Sequence, residues 1–288
     1  MKRQLLTFIM LGSSIALISV GCAFAQKVRE NEEIRRSVKF APDAQQRKLV
    51  VDNINGEITV TGYDGETIEL VAQKEIEAES KEKIEEAKQE VVLEVKEEKN
   101  KVILYVDAPW RTRDGINYRG WHYYGYEVTY DFELKVPRKT SLYLKTVNHG
   151  KVIVKDMEGE FEVKNVNDGI EMSGIKGPVK AGTVNGRVKV AFAQNPESEC
   201  SFRTVNGKVE VSLRDGLNAD LKLKTFNGQV YTDFDVTDLP RKIATVEEQK
   251  GRRKIYRRGG FFSVRVGKGG PEFSFDTLNG NIYILKQD

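Results

Sequence analysis

The sequence predicts an all-β protein: a parallel β-helix, that is, a solenoid of about five to six rungs of 18–21 residues, preceded by a β-rich N-terminal region with one short helix. Three observations carry this expectation. A phrase of the form Thr-Val-Asn-Gly recurs through the second half, at Thr146, Asn165, Thr183, Thr204, Thr225 and Thr277. Its asparagines Asn148, Asn167, Asn185, Asn206 and Asn227 are spaced by 19, 18, 21 and 21 residues, and Asn279 follows later. Each copy leads into a polar/apolar alternation such as Lys208-Val209-Glu210-Val211, the period of a half-buried strand.

Composition agrees with a thin, turn-rich molecule. Hydrophobic residues make up 39% of the 288 and glycine contributes 25, which suits stacked turns better than a thick layered core. Two His and two Cys are too few for a structural zinc site, and no cofactor or metal is expected.

Residues 1–25 read as a signal peptide: basic Lys2 and Arg3, an apolar run from Leu5 to Val20, and Ala23-Phe24-Ala25 before Gln26. Lipoprotein processing at Cys22 is the rival, weakened by Ser19 where a leucine is normally required. Either route exports the chain, to the periplasm or the cell surface. Removing the leader leaves 44 basic against 43 acidic residues, and this near-neutral balance argues against a nucleic-acid partner. Cys200 then has no disulfide partner within the chain.

Residues 26–46 form a polar lead-in. The β-rich N-terminal region spans 47–138, opening with Leu49, Val51, Ile58 and Val60 around Asn53-Ile54-Asn55-Gly56, an early relative of the later phrase. Glu75 to Glu90 predicts a short amphipathic helix with Ser80 as N-cap and Ile84, Ala87 and Val91 on one face. Strands are expected over Val91–Val95, Lys101–Val106 and Val128–Val136. Between the last two lies a loop holding Trp110, Tyr118, Trp121, Tyr123 and Tyr124 beside several arginines. Flat rings next to guanidinium groups stack on sugars or hold a partner, unless they fold back onto the sheet as ordinary apolar surface.

The β-helix repeats cover 139–288, broken by a basic insert at about 236–272. That insert carries Arg252, Arg253, Arg257 and Arg258, and the residues around Gly259-Gly260 predict a protruding hairpin. Within the rungs, stacking places the asparagines in a column where each side-chain amide bonds the next, with the Val/Phe before it inward and the Thr outward or in a neighbouring column.

The Ile-Asn-Gly-x-Ile-x-Val segment with Gly62-Tyr63-Asp64, the Tyr130–Pro137 strand, the Thr-Val-Asn-Gly rungs and the closing Thr277–Lys286 stretch together resemble the bacterial "putative adhesin" family of unknown function. The resemblance covers about 45–288 and implies a β-solenoid. It brings no catalytic residues with it.

The expected role is therefore a non-enzymatic cell-envelope protein, an interaction scaffold for protein or glycan. The alternative is a membrane-proximal envelope-stress component that binds anionic lipid or phosphoglycan through the basic insert. A polysaccharide-active enzyme is less well supported, since Asp156, Asp168, Asp215 and Asp233 fall in different phases of the repeat and His122 and His149 stand alone. If the asparagine column holds the rungs together, Asn206→Leu lowers the melting temperature clearly; an unchanged melt removes the ladder.

Overall fold

The structure is a computed structural model that describes residues 27–41, 43–112, 115–116, 123–240, 246–250, 253–257 and 262–287. The signal-peptide and Cys22 readings lie outside the described residues.

Alternating side chains sort the strands into two large sheets facing one core. In one, Leu49 and Val51 of Lys48–Asp52 are fully buried; in the other, Ile58 and Val60 of Ile58–Tyr63 are. The ten-stranded sheet runs Val28–Lys39, Thr67–Ala78, Tyr126–Pro137, Ile58–Tyr63, Val152–Lys155, Ile170–Ile175, Val188–Phe192, Val209–Arg214, Ile282–Gln287, Val230–Thr232. The eleven-stranded sheet runs Val236–Asp238, Phe262–Val266, Ala219–Asn227, Glu272–Asn279, Cys200–Asn206, Val179–Gly182, Phe161–Lys164, Ser141–Lys145, Lys48–Asp52, Lys101–Asp107, Val92–Glu97. The middle of each sheet is parallel, and antiparallel strands flank it: at both ends of the eleven-stranded sheet and at the N-terminal end of the ten-stranded one. Both sheets are thus mixed.

Pairing in register stacks like on like. Ile58, Val152, Ile170, Val188, Val209 and Ile282 form one inward column, every member fully buried. Opposite them Val51, Leu144, Val163, Ala181, Phe202 and Phe275 form another, with the Phe202 and Phe275 rings 5.1 Å apart. These apolar columns supply the main driving force for folding, at about 25 cal/mol per Å² of apolar surface removed from water.

Two expectations about the repeat are corrected. The copies do not stack in chain order: Glu272–Asn279 and Ile282–Gln287 lie between the Cys200–Arg214 turn of the chain and the Ala219–Thr232 turn. All copies share one turn chemistry, so that chemistry fixes register and leaves the order open.

The second correction concerns which residue of the phrase faces inward. Thr146, Thr183, Thr204 and Thr277 are buried, whereas Val184 is 38% exposed, Leu278 46% and Phe226 77%. Each threonine hydroxyl donates to a backbone carbonyl at the corner of the neighbouring turn. Thr146 reaches Gly56 O at 2.9 Å, Thr183 Asp168 O at 2.8 Å, Thr204 Gly186 O at 2.8 Å, Thr277 Gly207 O at 3.1 Å and Thr225 Gly280 O at 2.9 Å. Where asparagine replaces threonine, Asn53 Nδ2 donates to Tyr130 O at 2.8 Å and Asn165 Nδ2 to Gly150 O at 3.0 Å. A buried corner carbonyl needs a donor, and a valine at that position has none to offer.

Glycine in the phrase is a packing requirement as well as a turn residue. A Cβ on Gly280 would sit 1.8 Å from Gly207 O, and one on Gly207 2.0 Å from Gly186 O. Neighbouring corners touch backbone to backbone there.

The N-terminal end is closed by antiparallel strands and the helix Lys81–Glu90. The polar lead-in contains the strand Val28–Lys39, paired along its length with Thr67–Ala78. That second strand takes up Glu75–Ala78, so the helix begins at Lys81, with Ser80 accepting from Lys83 N at 3.3 Å and Ile84 and Ala87 buried. Lys74 lies beneath, its Nζ donating to Val91 O at 2.8 Å just past the helix C-terminus; burial lowers its pKa.

The basic insert also departs from expectation. Its hairpin pairs Val246–Lys250 with Arg253–Arg257, while Phe262–Val266 leaves the insert and joins the eleven-stranded sheet against Ala219–Asn227 and Val236–Asp238. Phe262–Val266 is apolar at alternate positions, with Val264 and Val266 buried, and burial against that sheet outweighs local pairing across the glycines.

Thr204→Val keeps the shape of the side chain and strands the Gly186 carbonyl. We expect a loss of roughly 1–2 kcal/mol, the cost of an unpaired buried acceptor, measured by urea unfolding. A loss no larger than that of a Val184→Thr change, at an exposed position of the same phrase, would show that the corner carbonyls need no donor.

Candidate functional site

The aromatic loop is anchored by an arginine. After Lys101–Asp107 the chain turns through Arg111 N donating to Ala108 O at 2.9 Å. The Arg111 side chain is then almost fully buried. It lies 2.6 Å from Asp52 Oδ1, donates to Asp52 O at 3.0 Å, and places its guanidinium 4.1 Å from the Tyr105 ring centroid. Held by the Asp52 carboxylate, the Asp52 carbonyl and the Tyr105 ring, this arginine fixes the base of the loop against the sheet.

On that base three rings pack together. Trp110 meets Tyr124 at 4.9 Å and Tyr126 at 6.1 Å, and Tyr124 meets Tyr126 at 5.7 Å, all tilted. Trp110 and Tyr126 are partly buried against the core. Tyr126 donates to Glu90 on the helix; burial first, then this bond to a carboxylate, raises its pKa. Tyr123 stands apart at 76% exposed, with its hydroxyl donating to Glu79 Oε1 at 3.0 Å, a contact that also raises its pKa.

Of the residues singled out in the sequence, Trp110 and Tyr124 therefore contribute mainly to the loop's own packing, and Tyr123 is the ring offered to solvent. Tyr118, Trp121 and His122 lie outside the described residues, as do Arg252 and Arg258. Arg253 and Arg257 end the second strand of the insert hairpin, Arg253 opposite Lys250 and Arg257 opposite Val246. His149 sits at a corner with φ 59° and lies 3.1 Å from Glu127 Oε1.

The asparagines form a continuous chain of side-chain amides along one exposed corner. Each Nδ2 donates to the next Oδ1: Asn167 to Asn148 at 2.6 Å, Asn185 to Asn167 at 2.9 Å and Asn206 to Asn185 at 2.8 Å. Asn279 then donates to Asn206 and Asn227 to Asn279, both at 2.7 Å. Asn227 thus reaches Asn279 rather than Asn206, following the order of the strands. The chain has one more member than the sequence reading assigned, because Asn148 donates to Asn55 at 3.2 Å and Asn55 to Val128 O at 3.2 Å. The signal for Asn55 was present in Asn53-Ile54-Asn55-Gly56. Beside these amides runs the outward apolar row that includes Val184, Leu278 and Phe226, which the reading of valine as an inward residue missed.

The one cysteine among the described residues is a buried free thiol. Val179 N points at Cys200 Sγ at 3.5 Å, and burial pushes the thiol pKa from 9.0 up to about 11. No helix among the described residues is long and apolar enough to cross a membrane.

No protein-family profile matches the chain, and no curated protein does. Solved structures do. A "putative cell adhesion protein" from Clostridium sporogenes is 10% identical over 91% of this chain and 100% of its own, with a TM-score of 0.38. A "putative adhesin" from Bacteroides fragilis is 11% identical over 89% and 97%, with a TM-score of 0.37. A "putative lipid binding protein" from Parabacteroides distasonis is 12% identical over 89% and 97%, with a TM-score of 0.24.

Cys200 should resist thiol reagents at pH 8 in the folded protein and react once it is unfolded. Because the fold favours the neutral thiol, its contribution to stability is whole below pH 9.0 and is lost as pH rises towards about 11. Rapid labelling without loss of the far-UV circular dichroism signal would contradict both statements.

Proposed function

We propose that this chain is a non-enzymatic, exported cell-envelope protein, adhesin-like in build, which serves as an interaction scaffold for a protein or glycan partner. In this reading the repeated corners wind the chain as a flattened two-sheeted β-solenoid, and the solenoid provides a stiff frame while loops at its N-terminal end carry the contact. The observation that supports it is the mounting of the aromatic loop: Arg111, buried on Asp52 and Tyr105, holds a packed base of rings from which Tyr123 projects. A ring held in place in advance loses little entropy on stacking against a sugar or an apolar side chain. Export rests on the basic start, apolar run and Ala23-Phe24-Ala25 of the leader.

The test is retention on a glycan array and capture from intact envelopes. Tyr123→Ala should weaken binding by roughly 0.5–1.5 kcal/mol with the melt unchanged, the scale of one aromatic contact. Trp110→Ala should weaken binding and lower the melt together. Binding that ignores both substitutions would sink the assignment to this loop.

A second reading keeps the scaffold and moves the contact to the basic insert, whose ribbon sets Arg253 opposite Lys250. Anionic lipid or phosphoglycan is then the ligand. Co-sedimentation with anionic vesicles that survives replacement of Arg252, Arg253, Arg257 and Arg258 would remove it.

A further inference from the structure

The two large sheets have four edges, and three of them carry charge. Val28–Lys39 holds seven charged residues, from Arg29 to Lys39; Val92–Glu97 holds Glu94, Lys96 and Glu97; Val236–Asp238 ends on Asp238. Charged side chains on an edge deter another strand from pairing there. The fourth edge is Val230–Thr232, and the whole run Thr225-Phe226-Asn227-Gly228-Gln229-Val230-Tyr231-Thr232 contains no charged residue. Four of the seven exposed large hydrophobic residues among those described, Phe226, Tyr231, Val236 and Leu278, belong to this end of the molecule.

The free side of this strand can be read from its bonded side. Ile282 N donates to Gln229 O at 2.9 Å and Asp233 N to Ile284 O at 3.1 Å, so residues 229, 231 and 233 face the neighbouring parallel strand. Val230 and Thr232 therefore turn their N–H and C=O groups outward. Among the described residues no strand meets them.

We propose that a second copy of this chain pairs antiparallel along Val230–Thr232, about a two-fold axis at Tyr231. In this register Val230 and Thr232 of the second copy exchange both backbone hydrogen bonds, and the symmetric pair does the same. Tyr231 already stacks on Tyr283 at 5.0 Å and 9°, and the two-fold brings Tyr231 of the second copy beside it in a non-hydrogen-bonded pair, where side chains approach closely. The register also carries Gln229 towards Asp233 and Asn227 towards Asp235 of the second copy, uncharged amides facing carboxylates. A two-fold contact must be complementary to itself, and an uncharged strand with outward donors and acceptors meets that condition.

The experiment is sedimentation equilibrium on the full chain freed of residues 1–25. A dimer is expected. Val230→Pro deletes an N–H that the two-sheet pairing leaves unused, and should raise the dissociation constant at least about tenfold. Tyr231→Lys, at an exposed position, should do the same by placing like charges across the axis, and unchanged far-UV spectra would show that both variants remain folded. A monomeric wild type overturns the proposal. So does a dimer indifferent to both substitutions, or a monomer that dimerises only when residues 241–258 are removed, which would make the chain's own insert the cover for this edge.

Discussion

At the repeated corners from Gly56 to Gly280 a backbone carbonyl lies out of reach of the strand ladder, and a side chain from the adjacent turn of the chain donates to it. Thr204 meets Gly186 O, Thr277 meets Gly207 O and Thr225 meets Gly280 O, each within 3.1 Å. The contact is short because the glycines leave no Cβ between one corner and the next. Everything else in the repeat follows from that spacing. The apolar columns can close only when neighbouring strands lie at ladder distance, and the amides of Asn148 to Asn227 come within hydrogen-bonding reach only when the corners stack. Loss of a corner bond leaves a buried acceptor unpaired, at a cost of about 1–2 kcal/mol.

Much of this was legible in the phrase itself, and one detail was legible but misread. The alternation Phe202, Thr204 continues inward at period two, so position alone puts the threonine inside. Judging by side-chain polarity put Val205 there instead. The corner then shifts the phase by an odd number, from Thr204 to the buried Val209, and throws the intervening valine or phenylalanine outward. Hydrophobicity ranks residues by transfer from water, while a corner selects for a donor.

The stacking order and the insert were not legible for a different reason. Copies of one phrase are interchangeable partners, and nothing local in Thr277-Leu278-Asn279-Gly280 distinguishes pairing with Thr204 from pairing with Thr225; it does both. The aromatic loop shows the same limit. Sequence revealed an unusual density of rings, but Arg111 settling on Asp52, fifty-nine residues away in the chain, decides which rings are packed and leaves Tyr123 outside.

The position of Glu272–Gln287 sets an order of assembly. These strands lie inside the Ala219–Thr232 turn, which precedes them in the chain, and separate it from Cys200–Arg214. A chain emerging N-terminus first can lay down its turns one after another as far as Arg214 and no further. The next turn must wait, its apolar face uncovered, until the closing residues arrive to take the place between. Completion therefore depends on the closing residues, and until they arrive the chain presents an open, strand-ready end.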